Sequence, residues 1–121
     1  MTRRNALVTL VLIFALSGMA YAATLVTVPA PFSPGSLECN IVNVTPNPIN
    51  SLTIKLFDEA GTLVGACGPR RLDPAVVMSC GIEGAGSYCR FIVSTSNKAA
   101  VRAVGYFSPE GAGSAIPLPA Q

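Results

Sequence analysis

The sequence predicts an all-β fold: a small antiparallel β-sandwich of immunoglobulin-like type, stapled by disulfides, behind an N-terminal signal peptide. Three observations carry this expectation. Beyond residue 22 the chain is built of short alternating apolar runs with no helical period. All ten prolines and ten of the eleven glycines fall in that part and punctuate it between the runs. Four cysteines, Cys39, Cys67, Cys80 and Cys89, lie within or beside those runs. Seven or eight short strands in a single domain, residues 23–121, favour a sandwich over other β architectures.

The first segment reads as an address. Arg3 and Arg4 form a short positive region, Ala6 to Leu16 is an apolar run broken only by Thr9, and Ala20-Tyr21-Ala22 is a small-residue cleavage motif. This layout predicts a secretory signal peptide over residues 1–22, cut after Ala22 rather than kept as an anchor. No membrane span is expected in the chain that remains, and its location is expected to be secreted or periplasmic.

Each later element has its own signal. Thr24 to Val28 is a short first strand, and Pro29, Pro31, Pro34 and Gly35 end it. Leu37 to Thr45 places Leu37, Cys39 and Ile41 on one face. Pro46-Asn47-Pro48 turns the chain, and Leu52 to Asp58 follows with Leu52, Ile54 and Leu56 inward. Asp58-Glu59-Ala60-Gly61 supplies a hairpin turn, with Gly61 suited to positive φ, and Leu63 to Ala66 pairs back. Cys67 to Pro74 reads as a loop, Ala75 to Cys80 as a strand, and Gly81 to Gly86 as a glycine-rich connector. Ser87 to Thr95 and Ala99 to Phe107 read as two strands joined by a turn at Ser96-Asn97-Lys98, and Ala115 to Leu118 as a last edge strand.

Export makes disulfides expected, and four cysteines allow three pairings. Cys39 and Cys89 each sit on the inward face of a strand, the arrangement that bridges two sheets. Cys67 and Cys80 then remain, flanking a proline-containing stretch. The expected pairs are therefore Cys39–Cys89 and Cys67–Cys80. The spacing lacks the paired C-x₂₋₄-C knuckles of structural zinc, so no metal is expected.

Composition removes several function classes. Charged residues are 12% of the chain, about half the usual share. After the leader, Lys55, Arg70, Arg71, Arg90, Lys98 and Arg102 are matched by Glu38, Asp58, Glu59, Asp73, Glu83 and Glu110, so the remainder is formally neutral. Such a chain has no basic field to draw nucleic acid. The absence of histidine removes Ser-His-Asp and Cys-His catalysis. Gly81 to Gly86 lacks the Lys-Ser/Thr of a phosphate loop. No cofactor is expected, and the chain is expected not to be an enzyme.

Two stretches together, Leu37-Glu38-Cys39-Asn40-Ile41-Val42-Asn43-Val44 and Tyr88-Cys89-Arg90-Phe91-Ile92-Val93, with the later Ala100-Val101-Arg102-Ala103, carry a resemblance. The pattern resembles small secreted bacterial proteins without an assigned activity, in which a strand cysteine precedes a hairpin, a Cys-Arg-Phe strand and an Arg-containing strand. It covers about Leu37 to Phe107 and implies a β-sandwich, export and a bacterial source. It supplies no functional residues.

The candidate site residues are therefore read from the sequence itself. Arg90 and Arg102 flank the predicted turn symmetrically, which predicts an outward pair able to hold a carboxylate or phosphate; the plainer account is a solvated sheet face. Tyr88, Tyr106, Ile92 and Val104 are expected on that same face, a mixed surface of the kind found at interfaces. Arg70 and Arg71 are expected on a loop closed by the Cys67–Cys80 bridge. The acidic pairs Asp58-Glu59 and Asp73, Glu83 are better explained as turn and loop residues than as acid–base machinery. The expected function is binding or structural, with an unknown protein or envelope component as partner. Three alternatives follow from single features: an envelope assembly subunit that donates Thr24 to Val28 by strand addition, a protease inhibitor using Arg70 and Arg71, and a small carboxylate hydrolase.

Overall fold

The computed structural model describes residues 22–30, 35–95, 97–109 and 115–121, and the predicted signal peptide, apart from Ala22, lies outside them. Eight strands form two four-stranded antiparallel sheets. The strands are β1 (Ala23–Val26), β2 (Gly35–Asn43), β3 (Ile49–Phe57), β4 (Leu63–Leu72), β5 (Val77–Ile82), β6 (Tyr88–Val93), β7 (Val101–Pro109) and β8 (Ile116–Pro119). Sheet I has the order β1-β6-β3-β4 and sheet II the order β5-β2-β7-β8.

Period-two alternation builds the core. Leu37, Cys39 and Ile41 from β2 and Met78 and Cys80 from β5 meet Leu52, Ile54 and Leu56 from β3 and Cys89, Phe91 and Val93 from β6. Both expected disulfides form. Cys39–Cys89 crosses the core between sheets. Gly105 lies opposite Cys39 on β7, and a Cβ there would come within 3.1 Å of the Cys89 sulfur and press on the bridge. Cys67–Cys80 joins the edge strands β4 and β5. The predicted β3–β4 turn also forms. Gly61 has φ +80°, and the Asp58 carboxylate accepts from the N–H groups of Ala60 and Thr62 at 3.0 and 2.8 Å.

Asn43 is fully buried at the end of β2 and ties four segments together. Its Nδ2 donates to the carbonyls of Asn47 and Leu72 at 2.7 and 3.1 Å, and its Oδ1 accepts from the Thr45 N–H at 2.9 Å. Its own carbonyl accepts from the Ala75 N–H at 2.9 Å. The Pro46-Asn47-Pro48 turn is thus pinned to the end of β4.

Two sequence expectations are corrected. Cys67 to Leu72 is not a loop: β4 continues through Gly68-Pro69 to Leu72. Breaks in the β3–β4 register between Ile49, Leu52 and Ile54 absorb the irregular residues, and the edge position tolerates the proline. Nor do β6 and β7 form a hairpin. A 3₁₀ turn at Lys98–Ala100, capped by the Asn97 side chain, carries the chain from sheet I to sheet II.

Candidate binding surfaces

The crossover separates the residues that sequence symmetry placed together. Tyr88 and Arg90 lie on the outer face of sheet I, while Arg102 and Tyr106 lie on the outer face of sheet II. The predicted Arg90–Arg102 clasp therefore does not exist, because the two side chains are on opposite sides of the sandwich. Arg102 has a local partner instead: its guanidinium donates to the carbonyls of Ala99 and Val101, both at 3.0 Å, and closes the 3₁₀ turn. Ile92 goes with Arg90 and Val104 with Arg102, so the single mixed face expected from the sequence is two faces.

On sheet I, Phe57 stands directly across from Tyr88, and their rings stack with centroids 5.0 Å apart. The Arg90 guanidinium carbon is 4.6 Å from the centre of the Phe57 ring. These two neighbours leave an outward-facing phenylalanine only 8% exposed. Sequence reading missed Phe57. Its signal is the break in alternation at Leu56-Phe57, where two successive large residues are both buried.

The outer face of sheet II mixes apolar and polar side chains in three rows. Val77, Val42 and Arg102 form one cross-strand row, and Ser79, Asn40, Val104 and Pro119 the next. Gly81, Glu38, Tyr106 and Pro117 form a third. Val77 is 59% and Tyr106 41% exposed. Two open depressions of about 310 and 620 Å³ lie along this face and share Tyr106 as a wall. Glu38 and Glu83 both line the larger one, and both are exposed to solvent.

Arg70 and Arg71 occupy exposed positions of edge strand β4 rather than a closed loop. Arg71 pairs with Asp73 at 2.9 Å, in an exposed ion pair of little energetic weight. Thr24 to Val26 pair with β6 of the same chain. Among the described residues no cluster of metal-ligating side chains occurs, and no helix is long and apolar enough to cross a membrane. No protein-family model matches this chain, and no curated protein or solved structure shows significant similarity to it.

Proposed function

We propose that the protein is an exported, non-enzymatic β-sandwich that binds a protein partner in the bacterial envelope or extracellular space through the outer face of sheet II. The carrying observation is a patch of exposed Val77, Tyr106, Pro117 and Pro119 with half-buried Val42 and Val104 between them. Val77 and Tyr106, open to water on the two strands that flank β2, are the kind of side chain that a partner covers, and tyrosine is enriched at such interfaces. The leader and the two disulfides support export.

We class the sandwich as immunoglobulin-like. In antibody domains a disulfide joins the second strand of one sheet to the strand before the last of the other. Cys39–Cys89 likewise bridges the two sheets here, between β2, which pairs with β5, and β6, which pairs with β3. The terminal strands depart from that pattern, since β1 pairs with β6 and β7 with β2.

The other readings draw on less. Strand donation would require β1 to leave its own sheet. Inhibition would rest on Arg70 and Arg71 in an edge strand, and hydrolysis on Glu38 and Glu83 in an open depression that does not exclude water.

Site-specific photocrosslinking in intact cells tests the proposal. A crosslinker at position 106 or 77 should give one discrete adduct that a crosslinker at Glu59 does not give, and Val42→Asp should abolish it. Equal adducts at all three positions would overturn the binding role of this face. Intact mass of the non-reduced protein tests export: it should begin at Ala23 and be recovered from periplasm or medium.

A further inference from the structure

Lys55 and Arg90 are direct cross-strand neighbours on the outer face of sheet I. Like charges at directly opposed positions repel and destabilise the pairing. Among the described residues neither cation has an acidic ion-pair partner. The row across the sheet reads Val26, Arg90, Lys55, Ala66, and the adjoining rows place Thr24, Ile92 and Thr53 on one side and Tyr88 and Phe57 on the other. The four strands of sheet I hold Lys55, Arg70, Arg71 and Arg90 and no acidic residue at all. Among the described residues the only ion pair is Arg71 with Asp73. A chain that is neutral after its leader thus concentrates cations on one sheet.

Arg90 is also held in place. Its guanidinium carbon lies 4.6 Å from the centre of the Phe57 ring, which Tyr88 braces from its own stack. A guanidinium fixed on an aromatic ring keeps its N–H edge free to grip a carboxylate with two parallel hydrogen bonds. Lys55 adds a second cation on the next strand, with Cβ atoms about 5 Å apart at such a pair.

We propose that Lys55 and Arg90 form an anion site that takes the carboxylate of a sugar acid, presented repeatedly by an acidic polysaccharide. The surroundings decide between anions. Net charge does not separate the anions, since an acidic polysaccharide, a nucleic acid and an anionic bilayer are all polyanionic. Here two cations are bordered by Thr24 and Thr53 and by the Ile92 and Tyr88 side chains. A sugar acid offers matching groups beside its carboxylate: ring hydroxyls and an apolar C–H face. The site is independent of the protein-binding face on sheet II, so either can fail alone.

The test uses the full oxidised protein with polygalacturonate as probe, and dextran and phosphatidylglycerol vesicles as comparisons. Wild type should bind polygalacturonate at low salt, lose it as salt rises, and ignore dextran. Lys55→Thr and Arg90→Gln should each weaken binding about five- to tenfold. Lys55→Thr does not touch the Phe57 ring and relieves the repulsion, so its melting temperature should rise by about 1–5 °C. That variant keeps the test decisive if Arg90→Gln folds poorly. Lys98→Gln, on the 3₁₀ turn, should bind like wild type. No binding of polygalacturonate, equal binding by Lys55→Thr, an equal loss with Lys98→Gln, or binding of the vesicles in its place would each overturn the proposal.

Discussion

A single buried amide fixes one end of the sandwich. Asn43 lies in an Asn-x-Thr sequence that reads as a glycosylation sequon, yet its side chain is fully buried and its amide nitrogen already serves two carbonyls. The physical role is therefore that of a hydrogen-bonded clamp between the β2–β3 turn and the end of β4. Asn43→Ala would take the buried donor from the Leu72 carbonyl and the acceptor from the half-buried Thr45 N–H. It should cost about 2–4 kcal/mol, read as a lower urea midpoint with an unchanged m value. Asn43→Asp keeps the acceptor but loses both donated bonds and buries a charge, so it should be no milder. Asp58 shows the same logic at the surface: its carboxylate serves two N–H groups of the β3–β4 turn, a structural task that accounts for the acid without any chemistry.

Elements were legible where one period governs them. The alternation Leu37, Cys39, Ile41 and Cys89, Phe91, Val93 specifies inward faces, and it leads directly to the Cys39–Cys89 bridge that forms. Residues 96–102 were not legible as a crossover, because distance along the chain from a turn says nothing about which sheet the next strand joins. The signal was local: Asn97 followed by Lys98-Ala99-Ala100 is a capped helical turn rather than a two-residue hairpin loop. A hairpin at this turn would put Arg90 and Arg102 on one face; the crossover puts them on two. The continuation of β4 through Gly68-Pro69 was hidden for a different reason. Glycine and proline mark breaks in central strands, but an edge strand with register shifts accommodates both. The two disulfides differ correspondingly in what they constrain. On a chain-entropy account, a separation of 50 residues makes Cys39–Cys89 worth about 4 kcal/mol and a separation of 13 makes Cys67–Cys80 worth about 3 kcal/mol. The paired substitution Cys39→Ala/Cys89→Ala should therefore lower stability more than Cys67→Ala/Cys80→Ala in matched urea titrations.

At the scale of the whole molecule, the sandwich is closed along both sides by different means. On one side β1 and β8 are zipped by backbone bonds: the Val26 N–H donates to the Gln121 carbonyl at 3.0 Å, the Gln121 N–H returns to the Val26 carbonyl at 3.2 Å, and Thr27 bridges to Ala120. Thr27 makes this switch of sheets possible. As the chain leaves β6, the Thr27 hydroxyl accepts the Cys89 N–H at 2.9 Å and stands in for the backbone acceptor that has turned away. On the other side β4 and β5 share no strand register, and the Cys67–Cys80 bridge holds them edge to edge. Open strand edges are templates for association, and the exposed Arg70 and Arg71 on β4 oppose it with charge. Closure on both sides predicts a wild-type protein whose sedimentation is independent of concentration when no partner is present. Cys67→Ala/Cys80→Ala frees both edges while leaving the core bridge intact, so it should sediment with a mass that grows with concentration. Adding Arg70→Thr and Arg71→Thr to that variant should strengthen the association. Thr27→Val attacks the opposite side, where the cost is a buried N–H without a partner. It should lose stability by about 1–3 kcal/mol with no gain in association, because β1 still covers the edge of β6. If the double cysteine variant stays monomeric at every concentration, the charges and irregular register of β4 suffice to guard that edge, and the bridge contributes stability alone.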